Sequence, residues 1–169
     1  MEGAKAPHAR ARDYLDGIDD RQRWDNALRF AVVRDPYARL VSCWAYAFGM
    51  GAPSVARFRE WVASGCQLHE RYFLDMGDGR RVWMHSPQAE WIESVAGEIV
   101  VSTLLRLERI DSQWPHIAAQ IGADSVLTHA NTSDHYAVDD YYDDRTRGLV
   151  RARYLRDFEL EDANWYGLT

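Results

Sequence analysis

The residues best suited to chemistry lie just after an apolar run near position 30. Arg34 ends that run, Asp35 and Pro36 follow it, and Arg39 and Ser42 come next in the stretch FAVVRDPYARLVSCW. A guanidinium presents a planar fork of donors that fits the oxygens of a phosphate, and a serine hydroxyl adds another donor. A helix that begins at Pro36 would point its positive end at the same place. The pattern predicts a small anion site, unless Arg34 pairs with Asp35 or caps a neighbouring element.

The elements on either side of Arg34 can be predicted from the apolar pattern. Residues 28–34 predict a buried strand, because its apolar residues do not alternate with polar ones, as is typical of a parallel strand covered on both faces; they are Leu28, Phe30, Ala31, Val32 and Val33. Asp35 is a favoured N-cap and proline a favoured first helical residue, so a helix is expected over Pro36–Phe48. Arg39 and Ser42 share one face of this helix. The opposite face carries the residues expected in the core, which are Leu40, Val41, Trp44, Ala45 and Phe48.

The rest of the chain alternates predicted helices with predicted strands. Helices are expected over residues 8–16, within 17–25, and over 55–64, 112–121 and 144–157. Ser54 is the predicted N-cap of the third, and Asp111 and Gly122 are the predicted caps of the fourth. In the last helix Leu149, Val150 and Tyr154 are expected to be buried. Residues 97–108 predict one or two strands, and residues 65–81 an irregular segment. Alternation of this kind favours an α/β fold with a parallel sheet. Ligands of such sheets bind beyond the carboxyl ends of the strands, where Arg34 stands.

The stretch FAVVRDPYARLVSCW resembles the 3′-phosphate-binding element of sulfotransferases that use PAPS, 3′-phosphoadenosine 5′-phosphosulfate, particularly the carbohydrate (Golgi-type and bacterial) branch. The family pattern is an apolar strand, Arg-[Asp/Asn]-Pro and Arg-Leu-Val-Ser. Five further segments of the chain resemble segments of the family in the same order; they are PHARARDYL, HSPQAEWI, GEIVVSTLLRLERI, HANTSDHY and YYDDRTRGLVRARYLRDFEL. The resemblance covers nearly the whole chain, and it implies a P-loop-like sulfotransferase fold with a parallel sheet flanked by helices.

The resemblance also implies a reaction and the residues that bind its donor. A sulfuryl group would move from PAPS to a hydroxyl, that of a carbohydrate in the branch resembled, without a metal. Arg34 and Ser42 match the family arginine and serine that hold the 3′-phosphate. Asn131 and Thr132 match the loop near the nucleotide, although Asp134 follows where the family often has basic residues.

Other residues take roles by the same resemblance, each with a structural alternative. His8 matches the family histidine proposed as the base that deprotonates the acceptor, or it is a surface or N-cap residue. Arg39 would lie near the nucleotide or the acceptor, or form an ion pair on a solvated face. Arg106 and Glu108 match a family strand end, and we expect them to form an internal salt bridge.

The chain departs from the family at the 5′-phosphosulfate loop, Pro-Lys-x-Gly-x-[Ser/Thr]. Of the 20 basic residues 19 are arginine, and the one lysine, Lys5, is followed by Ala6 and Pro7. We therefore expect an N-terminally incomplete sulfotransferase-like domain that lacks the first strand and can self-associate through an open sheet edge. The alternative is a non-catalytic remnant of the fold that binds a nucleotide or another anion. A nucleotide phosphotransferase is a remote third option, because no Gly-Lys-[Ser/Thr] occurs.

Composition limits the remaining function classes. A length of 169 residues predicts a single domain over 1–169. The formal charge of −6 argues against binding to nucleic acid or to an anionic membrane. Cys43 and Cys66 offer no metal-ligand spacing. No apolar run approaches a membrane span and no signal peptide is recognisable, so a soluble cytoplasmic protein is expected.

Overall fold

The described part of the chain contains both helices and strands, and after residue 106 its regular elements are all helical. The computed structural model describes residues 9–48, 54–70, 73–75, 81–128 and 135–162. In chain order its elements are α1 (Ala11–Asp16), α2 (Arg21–Asn26), β1 (Phe30–Val33), α3 (Pro36–Phe48), α4 (Val55–Ala63), β2 (Phe73–Asp75), β3 (Arg81–Trp83), α5 (Ala89–Ile92), β4 (Thr103–Arg106), a 3₁₀ turn (Leu107–Arg109), α6 (Ile110–Ile121), α7 (Val138–Tyr141), α8 (Asp144–Arg153) and α9 (Leu155–Asp162).

The strands form two small sheets in the described part of the chain. β1 pairs with β4 in parallel, from Phe30 opposite Thr103 to Val33 opposite Arg106. β2 and β3 form an antiparallel pair, and β2 lies within residues 65–81, which the sequence predicted to be irregular. The chain is thus a mixed helix and strand protein with a parallel pair, as an α/β prediction requires. Because β1 and β4 run the same way, their carboxyl ends meet at one edge.

The prediction that β1 is covered on both faces is wrong for the described residues. Val33 is buried against Ile92, Leu104 and Leu160, whereas Val32 is 45% exposed. Successive side chains of a strand point to opposite faces, so Val32 lies on the face opposite Val33, and there it lines a cleft. An apolar run without alternation therefore does not by itself establish cover on both sides.

Helix α3 begins and ends where the sequence predicted. Asp35 accepts a hydrogen bond from the backbone N–H of Ala38 at 2.6 Å, which confirms it as the N-cap. The predicted apolar face is buried except for Phe48, which is 51% exposed at the end of the helix. Its ring packs at 4.2 Å between centroids on Trp44, so one side of Phe48 is covered and the other faces out.

Half of the residues in the larger buried cluster are aromatic. Its centre is Phe58, which is fully buried on α4 and contacts Trp44, Trp61, Tyr141 and Tyr142 with ring centroids 5.1 to 5.9 Å apart. Tilted and edge-on contacts of this kind add to the free energy gained by burying the rings. Helices α3, α4, α7 and α8 are held together through this cluster.

The carboxyl-terminal helix predicted over residues 144–157 is two helices. α8 ends and α9 begins around Tyr154, whose backbone leaves the helical region at φ −112° and ψ 27°. Val150 and Tyr154 are buried as predicted, but Leu149 is 42% exposed, because it lies off the face that those two residues share.

The helix predicted after residue 111 also differs at its start. α6 begins at Ile110, so Asp111 lies within the first turn and is not the cap. Gly122 closes the helix in the left-handed conformation at φ 66°, as predicted, and glycine adopts that conformation without steric cost. The predicted cap at Ser54 is confirmed, since its side chain accepts from the N–H of Arg57. Among the described residues no helix combines the length and apolar character of a transmembrane segment.

Candidate functional site

Arg34 lies just beyond the carboxyl end of β1, where its backbone is fixed by one side chain. The N–H of Arg34 donates to Oε1 of Gln88 at 2.9 Å, and Nε2 of Gln88 donates to the carbonyl oxygen of Arg34 at 2.8 Å. The residue is half-buried. Its guanidinium has neither an ion pair nor a hydrogen bond to any described residue, so the pairing with Asp35 considered from the sequence does not occur there.

The positive charge of Arg34 affects the pKa of the Cys43 thiol on α3. Burial raises the pKa of the Cys43 thiol, and the positive charges of Arg39 and Arg34 offset part of that rise. Ser42 precedes Cys43 in the same turn, is half-buried and has an interaction partner of its own.

The amino end of α3 already has anionic partners. The carboxylate of Asp35 caps Ala38, and Oε1 of Glu108, in the 3₁₀ turn after β4, accepts from the N–H of Asp35 at 3.0 Å. Two carboxylates therefore lie where the sequence suggested that a helix N-terminus would hold a phosphate. An anion bound here would depend on side-chain donors such as Arg34 rather than on the backbone of the first turn.

Arg39 lines a cleft beside β1 and makes no ion pair with any described residue. One guanidinium N–H of Arg39 donates to the carbonyl oxygen of Met84 at 2.9 Å. The cleft has a volume of about 340 Å³, and Gln88 and Trp91 line it as well. We name it the Arg39 cleft. It combines an aromatic ring, a thioether and two polar side chains, a mixture that small-molecule sites commonly use.

A second cleft adjoins the first beside β1. It has a volume of about 460 Å³ and a mainly apolar lining that includes Trp24, Phe30 and Val101. Ala31 and Trp91 line both clefts, so the two are continuous along the strand. Together they offer room for a ligand larger than a single ring system.

Three predicted site residues cannot be placed beside these clefts. His8, Asn131 and Thr132 lie outside the residues that the structure describes. The roles that the resemblance gave them, base for His8 and nucleotide contacts for Asn131 and Thr132, stay predictions. Of the six predicted site residues, the structure brings Arg34, Arg39 and Ser42 to α3 and the end of β1.

Two residues near Arg34 were not singled out from the sequence. Gln88 lies within HSPQAEWI and Asp157 within YYDDRTRGLVRARYLRDFEL, and the sequence predicted no role for either residue. The carboxylate of Asp157 is 2% exposed and accepts from the N–H groups of Gln88 and Ala89 at 2.8 and 2.9 Å. One signal was present, because Asp157 continues the buried i, i+4, i+7 spacing of Val150 and Tyr154. A carboxylate on a buried face requires polar partners.

Comparisons with models of protein families, with curated proteins and with solved structures return no match for this chain.

Proposed function

We propose that this chain is a sulfotransferase domain that binds PAPS through Arg34 and transfers its sulfuryl group to a hydroxyl, in particular that of a carbohydrate. The proposal is carried by the placement of Arg34. The half-buried residue follows a parallel strand at its carboxyl end, and its guanidinium forms no hydrogen bond or ion pair with a described residue. A partly desolvated cation gains most from an anionic ligand. The ordered series of family-like motifs suggests which ligand that is.

The surroundings of Arg34 favour a ligand held by directed hydrogen bonds. Asp35 and Glu108 reduce the positive potential at the start of α3, so a general polyanion gains little there. A phosphate dianion gains more, because the guanidinium can donate to two of its oxygens at once. The 3′-phosphate of the nucleotide supplies such a group, and Ser42 is proposed as its second donor.

The proposed reaction is an in-line transfer. The acceptor oxygen forms a bond to sulfur while the bond from sulfur to the bridging oxygen of the 5′-phosphate breaks, and the hydroxyl proton passes to a base. His8 is proposed as that base. The product nucleotide, adenosine 3′,5′-bisphosphate, retains the 3′-phosphate, so Arg34 and Ser42 would hold donor and product by the same group.

The Arg39 cleft is the proposed position of the acceptor. Trp91 offers an aromatic surface, while Arg39 and Gln88 offer polar groups at its wall. Sugars present apolar C–H faces and hydroxyl edges, and a lining of this kind suits both. The volume of about 340 Å³ lies within the range of small-molecule sites.

A second candidate function is nucleotide binding without transfer. It is favoured by the chain's one lysine, Lys5, because the residues after it are Ala6 and Pro7 and do not form the family's 5′-phosphosulfate loop. A protein of this kind would retain the 3′-phosphate contacts of Arg34 and Ser42 and lack the cation that assists the leaving group.

Calorimetric titration with adenosine 3′,5′-bisphosphate tests the site that both functions share. We expect the wild-type chain to bind, and we expect Arg34→Ala and Ser42→Ala each to weaken binding by about 1–3 kcal/mol, as for lost hydrogen bonds to a charged group. Arg21→Ala and Ser112→Ala are matched controls, since Arg21 is exposed on α2 and Ser112 is exposed on α6. Equal losses in the controls would contradict the assignment.

A transfer assay separates the two functions. Radiolabelled PAPS is incubated with the chain and a set of oligosaccharides, and label in the sugar is measured. Transfer that Arg34→Ala reduces supports the sulfotransferase. Binding of the bisphosphate without transfer to any sugar supports the non-catalytic alternative, and absence of binding contradicts both.

A further inference from the structure

A series of hydrogen bonds, which we call the relay, holds the backbone of Arg34 and begins on α9, the last described helix. Asp157 on α9 accepts from the N–H groups of Gln88 and Ala89 at the start of α5. The side chain of Gln88 then forms two hydrogen bonds with the backbone of Arg34: its Oε1 accepts from the N–H, and its Nε2 donates to the carbonyl oxygen. The residues in contact are separated by 69 and 54 positions in the sequence.

We infer that Gln88, supported by Asp157, positions Arg34 for recognition of the 3′-phosphate, an inference that rests on the proposed function. The Gln88 amide gives the end of β1 the donor and acceptor that a neighbouring strand would give. It thereby fixes the backbone from which the guanidinium extends. A donor held in place loses less conformational entropy when the ligand binds, so affinity depends on residues that never touch the phosphate.

The same hydrogen bonds would be present if Gln88 only stabilised the fold. Gln113 provides a control for that purely structural role. Gln113 on α6 is buried, and its Oε1 accepts from the N–H of Arg106 at 2.7 Å, at the end of the paired strand β4. Gln113 and Gln88 therefore make the same kind of contact at two adjacent strand ends. Only Gln88 holds the arginine that we assign to the phosphate.

The experiment measures selectivity for the 3′-phosphate, which is the affinity for adenosine 3′,5′-bisphosphate divided by the affinity for adenosine 5′-phosphate. Gln88→Met keeps the length of the side chain and removes both hydrogen bonds to Arg34. We expect it to lower this selectivity about tenfold, with the affinity for the monophosphate changed by less than about twofold. Gln113→Met removes the matching contact at β4, and we expect it to leave the selectivity unchanged.

The Asp157→Asn variant provides a second measurement of selectivity that does not depend on how well Gln88→Met folds. The asparagine retains one oxygen acceptor and turns an N–H₂ group toward a backbone donor, so the start of α5 should loosen without loss of volume. We expect selectivity to fall about threefold, because the Gln88 amide would then be held less firmly.

The outcomes separate this inference from the proposed function. Selectivity that falls in Gln88→Met and Asp157→Asn but not in Gln113→Met supports positioning. Unchanged selectivity in Gln88→Met, or an equal fall in Gln113→Met, overturns it while the proposed function stands. If Gln88→Met does not fold, unchanged selectivity in Asp157→Asn overturns it. A wild-type chain without selectivity contradicts the proposed function itself, and the inference with it.

Discussion

The hydroxyl of Tyr154 donates a hydrogen bond to the backbone carbonyl of His85 at 2.8 Å inside the core. The same hydroxyl lies 3.3 Å from Nδ1 of that histidine. The imidazole ring is 1% exposed, stacks on Trp83 and meets Trp61 edge-on. A group that protonates near neutral pH in water is thus enclosed by aromatic rings.

Acid should destabilise the fold through His85. Burial, assisted by the positive charge of Arg153, lowers the pKa of His85 from 6.5 to about 4. Between these values the unfolded chain binds a proton at this position and the folded chain does not, so stability falls as the pH is lowered. We expect the free energy of unfolding in urea to be about 2 kcal/mol lower at pH 5 than at pH 7 from this group alone.

Two variants and a spectrum check that prediction. His85→Phe should lose this part of the pH dependence, whereas His116→Gln, which alters an exposed histidine on α6, should retain it. An NMR titration of the wild-type chain should leave the His85 ring neutral at pH 5.5. A ring that titrates near pH 6.5 would contradict the prediction.

The Tyr154 hydroxyl should contribute measurably to stability. Tyr154→Phe keeps the buried ring and leaves the carbonyl of His85 without its donor, which costs about 1–3 kcal/mol. Urea unfolding at pH 7 measures the difference. Tyr14→Phe removes the same atom from a tyrosine that is exposed on α1, and we expect almost no change there. Equal stability of both variants would show that the buried hydroxyl contributes nothing.

The two cysteines should be unreactive in the folded chain. Cys43 and Cys66 are both buried, and burial raises the pKa of Cys66 to about 11. The thiolate is the reactive form, so little of it exists at pH 8. We expect slow labelling by a thiol reagent in buffer and rapid labelling in urea. Ser64→Cys adds an exposed thiol next to this region and should label at once. Rapid labelling of the native wild-type chain would contradict the buried placement.

The parts of the fold that depend on neighbours in sequence were predictable. Asp35, Ser54 and Gly122 fix the ends of α3, α4 and α6 through contacts within four residues, so residue type and position suffice. The prediction of α3 was correct at both ends for this reason. Arg34 was predictable as a strand-end cation for the same reason.

The parts that depend on distant contacts were not predictable. Tyr154 bonds His85 across 69 positions, and this contact lies at the break between α8 and α9. The exposure of Val32 depends on what packs beside β1, which its own apolar neighbours do not reveal. The neutral amide of Gln88 does not mark it as a site residue in the sequence, so only its hydrogen bond with Arg34 indicates a role.

The central claim is that the guanidinium of Arg34 recognises the 3′-phosphate of a nucleotide. The most direct test is a cycle of four titrations, with the wild-type chain and Arg34→Ala each measured against adenosine 3′,5′-bisphosphate and adenosine 5′-phosphate. We predict that the wild-type chain binds the bisphosphate at least about tenfold more tightly, and that Arg34→Ala binds both nucleotides equally. Equal affinities in the wild-type chain, or a preference that survives in Arg34→Ala, would contradict the account.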